Sequence, residues 1–260
     1  MKRIATAAVL IPLISYVVLL SPQWLFLAVT AIIALFCFHE YAGIVAGHGI
    51  QRPGPVSYAA GLLLLVLPSG DWLFVVLLSL LTLALMLRSA DLAKGLPGAA
   101  GALLGIIYVF GAWRAAVALR SLPPTGAYWL FFALALNWIG DTAAFYVGSA
   151  IGRHKMAPRL SPGKSWEGSG ASLAASLVFG FFYIGWLMPA VPYFQRLALA
   201  ALGNVAGQLG DLVESSMKRG AGVKDSGSLL PGHGGWLDRV DSSLFSIPAV
   251  YALLILLGRN

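Results

Sequence analysis

Long apolar segments recur along the whole chain, and they leave few polar stretches that could form a water-exposed protein surface. About 20 apolar residues form a helix that crosses the hydrocarbon core of a bilayer. Only 10% of the 260 residues are charged, against about 25% in a typical soluble domain. We therefore predict an all-α polytopic integral membrane protein with about nine transmembrane helices. The predicted spans lie near residues 4–20, 24–46, 55–69, 72–87, 98–119, 126–150, 171–190, 196–217 and 241–258.

The third and fourth predicted spans are short and close together, so residues 55–87 could instead form a helical hairpin that crosses incompletely. Lys and Arg are retained on the cytoplasmic side of short loops. With a cytoplasmic N-terminus, that side holds thirteen of the 17 basic residues, the other side holds Arg120, Arg196 and Arg259, and Arg114 lies inside a span. This asymmetry predicts a cytoplasmic N-terminus and a basic cytoplasmic face.

Polar residues divide the chain into two parts of different character. Residues 1–136 form the N-terminal transmembrane helices, and residues 137–260 form a C-terminal transmembrane region rich in polar residues. Two long polar loops, 152–170 and 218–240, are separated by two spans and should open on the cytoplasmic side. Together they could cover one catalytic site.

Four acids fall inside predicted spans, where a charge costs about 2.5 to 3.5 kcal/mol and therefore suggests a function. They are Glu40, Asp141, Asp211 and Glu214. For Asp211 and Glu214 the alternative is an ion pair with a lysine that merely joins helices. For Glu40 we expect a structural or interfacial role.

Residues 215–245 carry the most informative sequence, SSMKRGAGVKDSGSLLPGHGGWLDRVDSSLF. Carboxylates are hard ligands that Mg²⁺ shares with substrate phosphates. Lys and Arg neutralise phosphate charge, and glycines let the backbone approach phosphate oxygens. The mixture suits a polyphosphate held with a divalent cation, whereas a solvated loop with unspecific charge pairs is the structural alternative.

This run resembles the signature of the phosphatidate cytidylyltransferase family. The resemblance rests on Ser215, Met217, Lys218, Arg219, Lys224, Asp225, Pro231, His233, Gly234, Gly235, Asp238, Arg239 and Asp241. A second stretch, from Trp138 and Asp141 through Gly148 to SPGKSWEG at 161–168, is also similar to the family. This chain departs from the family at Trp236, where an aliphatic residue is usual, and at Gly163 and Ser165, where Lys and Thr are common.

The resemblance implies transfer of CMP from CTP to phosphatidic acid, which gives CDP-diacylglycerol and pyrophosphate in phospholipid biosynthesis. It implies a cluster around Mg²⁺, with a monovalent cation such as K⁺ as a second ion, held by Asp211, Asp238 and Asp241. The implied catalytic residues are Ser215, Lys218, Arg219, Lys224, Asp225, His233 and Arg239. The implied substrate-binding residues are Lys164, Ser165, Glu167 and Asp141. His233 could equally donate to a phosphate or cap the glycine turn.

The resemblance also implies membrane lipids as surroundings, a homodimer, and a place in the cytoplasmic (inner) membrane with the site facing the cytoplasm. Nucleic acid is a poor partner, because the basic residues are split among membrane loops. An anion transporter would show repeat symmetry, which we do not find. A CDP-alcohol phosphotransferase would carry that family's spaced aspartates after an Asp-Gly pair, and a lipid kinase a GK[ST] loop; neither motif is present.

Overall fold

The computed structural model describes residues 2–67, 72–88, 91–229 and 234–259, and most of them are helical. The α-helices in these ranges are α1 (Lys2–Leu19), α2 (Gln23–Gly47), α3 (Pro55–Val66), α4 (Trp72–Leu85), α5 (Leu92–Gly105), α6 (Ala112–Arg120), α7 (Gly126–Ile151), α8 (Trp166–Leu187), α9 (Tyr193–Gly220), α10 (Leu237–Val240) and α11 (Ser243–Leu256). A 3₁₀ turn, Met86–Arg88, follows α4, and a π-helical segment, Ile106–Gly111, joins α5 to α6. Strands β1 (Lys155–Ala157) and β2 (Ser161–Ser165) form a short hairpin between α7 and α8.

Five helices among the described residues are long and apolar enough to cross a membrane. They are Gln23–Gly47, Leu92–Arg120, Gly126–Ile151, Trp166–Leu187 and Leu237–Leu256, and Pro55–Val66 and Leu73–Ala84 are shorter apolar helices. Large apolar side chains also lie on the outside, for example Phe182 and Trp186, which is 85% exposed. Soluble proteins rarely expose extensive apolar surface. The predicted all-α polytopic membrane fold is confirmed, and the count of nine crossings stays a prediction.

The helix ends refine the two predicted polar loops. The first loop ends at Ser165, because the Oγ of Ser165 accepts a hydrogen bond from Gly168 N at 3.2 Å and so caps the start of α8. Side-chain caps of this kind satisfy the free N–H groups of a first turn. The second loop is shortened at both ends, since α9 continues to Gly220 and α10 begins at Leu237. Residues 166–170 are thus helical and not loop.

The first of two compact units comprises the chain up to Leu13, Ser21–Ala118 and Met217–Arg239. An aromatic cluster forms part of its core, with Phe38 against Phe110 at 5.2 Å and against Tyr58 at 4.8 Å between ring centroids. A Cβ on Gly61 would collide with the ring of Phe110, so glycine is required for this approach of α3. Tyr41, also buried, donates from its hydroxyl to Gly101 O at 2.9 Å. Packing of α2 against α3, α5 and the π-helical segment therefore depends on close aromatic contacts.

The second unit comprises Ile14–Leu20, Leu119–Ser216 and the chain from Val240 onward. Its central feature is the close packing of α7 on α8. A Cβ on Gly140 would lie 2.5 Å from Ser172 Oγ, so the absence of a side chain lets the helices approach. Small residues commonly permit such contacts between membrane helices. On another side of α7, Asn137 Nδ2 donates to Ser243 Oγ at 3.2 Å and to Ser246 Oγ at 2.8 Å on α11.

These compact units interleave along the sequence, and the predicted division after residue 136 falls within α7. That division was drawn from the density of polar residues, which describes chemistry and not packing. The β1–β2 hairpin belongs to the second unit, and its strands are antiparallel with Lys155 opposite Ser165 and Ala157 opposite Ser161. It brings the conspicuous SPGKS sequence back against α7 and α8.

Candidate active site

The second unit contains a cavity of about 210 Å³ whose walls come from α7, the hairpin, α8 and α9. Its lining residues are Asp141, Ala144, Phe145, Met156, Gly163, Lys164, Ser165, Gly168, Ser169, Ser172, Gln208 and Asp211. The cavity combines charged groups, hydroxyls and an amide with apolar walls, as small-molecule sites commonly do. Phe145 lines it and is nevertheless 69% exposed, so one wall faces the surroundings of the helices.

The charged centre of this cavity is an ion pair between the hairpin and α9. Lys164 Nζ lies 2.5 Å from Asp211 Oδ2, and both side chains are partly exposed. Ser215, one turn further along α9, donates from its hydroxyl to Asp211 Oδ1 at 3.4 Å. The structural alternative considered for Asp211, a pair with a lysine, is therefore present, but it lies in the wall of a cavity where substrate could reach both groups.

The four residues predicted to bind substrate have different positions. Asp141, Lys164 and Ser165 line the cavity, whereas Glu167 is not among its lining residues. The carboxylate of Glu167 accepts from the backbone N of His154 at 3.2 and 3.3 Å and lies 2.6 Å from His154 Nδ1. Glu167 thus joins His154, at the start of the hairpin, to the first turn of α8.

Several acids of the second unit converge on Asp241, which lies just before α11. Asp211, Glu214 and Asp141 lie close enough to Asp241 for their negative charges to act on it. Glu214 is fully buried. Like charges held this close in a poorly solvated place raise one another's energy. The sequence identified each of these acids, but only the fold places Asp141 of α7 near the acids of α9.

The acids around Asp241 are candidates for holding a divalent cation. Within the described ranges, no three Asp, Glu, His or Cys side chains are already arranged as a metal-binding group. The donor chemistry nevertheless fits, since Asp211 and Asp241 offer hard carboxylate oxygens, and Glu214 and Asp141 add negative charge beside them. Mg²⁺ is usually held by one or two carboxylates and substrate phosphates, not by a complete protein cage.

Asp238, the third predicted metal ligand, has different partners in the first unit. Its Oδ1 accepts from Lys218 Nζ at 2.5 Å, and its Oδ2 accepts from Ser226 N at 2.9 Å and Gly235 N at 2.7 Å. The side chains of Lys218 and Asp238 are 10% and 6% exposed. Both oxygens therefore hold the signature loop, residues 221–236, against α9 and α10. A role for Asp238 as a metal ligand stays a prediction.

Glu40 of α2 anchors the same loop. It is buried and accepts from Ser226 Oγ at 2.8 Å, from Trp236 N at 3.0 Å and from Leu237 N at 2.8 Å. Phe36, one turn earlier on α2, stacks on the ring of Trp236 with 5.8 Å between centroids. The structural role predicted for Glu40 is confirmed, and Trp236, a departure from the family pattern, is explained by this aromatic contact.

The remaining charged residues of the signature are exposed. Arg219, Lys224, Asp225 and Arg239 all lie on the surface of the first unit. Arg219 also donates to Val223 O at 3.1 Å, which folds its side chain over the start of the loop. His233 lies outside the described residues, so both of its predicted roles stay open.

One group of polar residues in the second unit was not identified from the sequence. Gln208 and Asn204 lie on successive turns of α9 and hydrogen-bond to each other and to serines of α8. A signal was available, because Gln208 lies three residues and Asn204 seven residues before Asp211, so the two amides extend the polar face of α9 inward.

The chain is similar to one known protein family and to several named proteins. The sequence profile of the Cytidylyltransferase family matches residues 1–257. The chain is 33% identical over 261 residues to a phosphatidate cytidylyltransferase of Staphylococcus aureus (strain COL), which covers 97% of this chain and 99% of that protein. A protein of the same name from Staphylococcus haemolyticus (strain JCSC1435) is 33% identical over 262 residues, covering 98% and 99%. One from Bacillus subtilis (strain 168) is 40% identical over 153 residues, covering 59% and 57%.

The matches extend over the N-terminal helices as well as the two motifs that carry the resemblance in sequence. The family predicted from those motifs is confirmed by a profile that spans nearly all of the chain. This chain belongs to the cytidylyltransferase family.

Proposed function

We propose that this cytidylyltransferase transfers CMP from CTP to phosphatidic acid and forms CDP-diacylglycerol and pyrophosphate. Relatives that align with almost the whole chain carry the name phosphatidate cytidylyltransferase. The observation that carries the proposal is the cavity of the second unit, which places Lys164 and Asp211 among membrane helices. A polar, charged cavity in such a setting suits a substrate with an ionic headgroup and apolar tails.

The reaction needs little acid or base chemistry from the protein. A phosphate oxygen of the lipid forms a bond to the α-phosphorus of CTP, and the bond from that phosphorus to the bridging oxygen of the β-phosphate breaks. Pyrophosphate leaves with the electron pair. Because the attacking oxygen is already anionic, catalysis consists mainly of alignment and stabilisation of phosphate charge.

Lys164 is the group in the cavity best suited to stabilise phosphate charge. In the absence of substrate its ammonium pairs with Asp211, so we infer that a phosphate oxygen replaces this carboxylate as its partner. Ser215 would then keep Asp211 oriented through the hydroxyl hydrogen bond. Ser165 and Glu167 would act on Lys164 indirectly, by fixing the hairpin that carries it. Ser165 caps α8, and Glu167 binds His154 at the start of the hairpin.

The cations of the signature loop would act on the polyphosphate. Arg219, Lys224 and Arg239 are exposed and carry the charge that a nucleoside triphosphate attracts. Lys218 is buried and paired with Asp238, so we propose that its main role is to hold the signature loop in place. Asp225 is an exposed residue of the same loop, and its catalytic role stays a prediction.

We propose that Asp211 and Asp241 hold Mg²⁺, with Glu214 and Asp141 contributing charge nearby. A bound Mg²⁺ supplies neutralisation of phosphate charge and orientation of phosphate oxygens. A second, monovalent ion such as K⁺, with Asp238 among the ligands, is the extension that the family resemblance suggests.

We further propose that the protein lies in the cytoplasmic (inner) membrane with the site facing the cytoplasm, where CTP is found. The excess of Lys and Arg in the loops assigned to that side supports this orientation. The exposed wall at Phe145 would let the lipid enter from the bilayer while CTP enters from water. A homodimer stays an expectation from the family.

The proposal is tested by turnover of the purified protein in detergent with labelled CTP, phosphatidic acid and Mg²⁺, following label that extracts with lipid. Asp211→Asn and Asp241→Asn are measured beside the wild type. We expect Mg²⁺-dependent transfer by the wild type and a loss of at least about 100-fold in either folded variant. An absence of lipid label, under conditions in which a phosphatidate cytidylyltransferase of another species works, would refute the proposal.

A further inference from the structure

A seam of neutral polar side chains extends inward from the cavity of the second unit. This polar seam consists of Ser169, Ser172 and Ser176 of α8 with Asn204 and Gln208 of α9. Ser169 Oγ donates to Gln208 Oε1 at 2.5 Å, and Gln208 Nε2 donates to Asn204 Oδ1 at 2.6 Å. Asn204 Nδ2 in turn donates to Ser172 Oγ and Ser176 Oγ, each at 2.9 Å.

The outer end of the polar seam is part of the cavity wall. Ser169, Ser172 and Gln208 line the cavity, whereas Asn204 and Ser176 are buried behind them. From the first turn of α8, at Ser169, the seam reaches Ser176, which is about 10 Å along the helix axis at 1.5 Å per residue. On α9, Gln208 lies one turn before Asp211, the acid of the charged centre.

Helix association alone does not explain this arrangement. The same unit joins α7 to α11 through Asn137, Ser243 and Ser246, and none of these residues lines the cavity. In the polar seam, by contrast, Gln208 is only half-buried and faces a space large enough for a ligand. Its second amide hydrogen has only a long contact, 3.4 Å, with Ser169 O. This N–H is therefore available to a better acceptor.

The chemistry of the polar seam differs from that of the charged centre. It presents hydroxyls and amides with no ionic side chain, which suits neutral hydrogen-bond acceptors better than phosphate. In a diacyl glycerophosphate, the neutral acceptors are the two ester carbonyls, a few bonds from the phosphate on the side of the tails. A lipid whose phosphate lies at Lys164 would bring these carbonyls toward Gln208 and Ser172.

We propose that the polar seam is a subsite for the glycerol-ester region of the lipid substrate, with Gln208 and Ser172 donating to ester carbonyl oxygens. This inference rests on the proposed function and adds a specificity that neither the charged centre nor the signature loop supplies. It makes the enzyme selective for ester-linked over ether-linked lipids.

The test compares dioleoyl phosphatidic acid with its dioleyl ether analogue, which has the same headgroup and chains but lacks the carbonyls. Transfer of CMP is measured for wild type and for Gln208→Met, which removes the amide donor at similar volume. We expect the wild type to favour the ester lipid in kcat/KM by about five- to tenfold, the scale of one or two neutral hydrogen bonds. In Gln208→Met the preference should fall below about twofold, with KM for CTP unchanged.

Two further variants keep the test decisive. Ser172→Ala removes a smaller group from the same subsite and should also reduce the preference for the ester lipid, even where Gln208→Met folds poorly. Asn137→Leu is the matched control, because it removes a buried amide from the polar contact between α7 and α11, away from the cavity. It should lower the thermal midpoint in detergent and leave the ester preference intact.

Equal use of the two lipids by the wild type would overturn the inference while leaving the proposed function in place. A preference retained in both subsite variants would overturn it as well, since the polar seam would then serve only to join helices. If CMP is transferred to neither lipid, the proposed function is refuted, and the inference that rests on it is refuted as well.

Discussion

The carboxylate of Glu40 accepts a hydrogen bond from Ser226 Oγ at 2.8 Å, although the two residues are 186 positions apart in sequence. The same side chain accepts from the backbone N–H groups of Trp236 and Leu237. An acid of the second helix therefore ties Ser226, inside the signature loop, to the C-terminal end of the same loop. In the first unit, this contact links the N-terminal helices to the residues that carry the family signature.

Removing the Glu40 carboxylate should loosen the signature loop. Buried donors left without an acceptor cost about 1 to 3 kcal/mol each, so we expect Glu40→Ala to lower kcat/KM by about tenfold or more and to lower the thermal midpoint. Glu40→Gln keeps one acceptor oxygen, so its kcat/KM and thermal midpoint should lie between those of the wild type and those of Glu40→Ala. Hydrogen exchange of residues 224–229 reports the loosening directly.

Asp91 is the control for this experiment, because it is an exposed acid of the same unit that caps α5 and pairs with Lys94. Asp91→Ala should leave the exchange of the signature loop unchanged. Unchanged loop exchange in Glu40→Ala would contradict the anchoring role.

The two lysines of the hairpin should differ sharply in their effect on transfer. Lys164 pairs with Asp211 in the cavity, whereas Lys155 is exposed on the other strand. Loss of one preorganised charge-stabilising group commonly lowers kcat by about 10²- to 10³-fold, which we expect for Lys164→Met. Lys155→Met should retain activity within about twofold. Equal effects of the two substitutions would show that Lys164 contributes only general surface charge.

Asp238 and Asp241 should respond differently to the concentration of Mg²⁺. Asp241→Asn should raise the half-saturating free Mg²⁺ concentration by about tenfold or more, because it removes a proposed metal ligand. Asp238→Asn should leave that concentration within about twofold, since its oxygens bind Lys218 and backbone N–H groups. It should instead lower the thermal midpoint.

The measurement is transfer rate against free Mg²⁺ at saturating CTP, with the thermal midpoint recorded in parallel. A large shift of the Mg²⁺ dependence in Asp238→Asn would show that Asp238 also acts as a metal ligand, as the family resemblance suggests.

Glu167 and His154 should act as one unit, since they position the hairpin through a single clamp. We expect Glu167→Gln and His154→Ala each to lower kcat/KM less than Lys164→Met does. The double variant should be no worse than the worse single variant, because contacting residues are not additive. Additive losses in kcat/KM, or no protection of the hairpin from protease in the wild type, would argue against a shared clamp.

The predicted nine crossings would place the two ends of the chain on opposite sides of the membrane. Reporters fused at residue 1 and residue 260 should therefore be active on the cytoplasmic and the opposite side respectively. Reporters active on the same side would require an even number of crossings, with residues 55–87 as the first place to look.

Much of the fold was predictable because solvent preference and helix period are local properties of the sequence. Every predicted span has a helix in the described structure. The family motif was likewise readable, since it consists of residue types at fixed spacing. The first turn of α8 was missed, because the predicted span began at residue 171 and hydropathy alone does not register the cap at Ser165.

The partners of the site residues were not predictable in the same way. Lys164 and Asp211 are 47 positions apart, and either could have paired with several other charges. Glu167 was assigned to the substrate pocket from the motif, yet its carboxylate holds His154.

Sequence alone determined that this chain is helical, lies in a membrane and carries a cytidylyltransferase signature, because composition, period and spacing act over short stretches. Tertiary structure decided which acids share a cavity, which acid holds the signature loop and where the polar seam lies. These depend on which helix faces meet, and packing between distant segments sets that through shape and hydrogen-bond geometry rather than through local pattern.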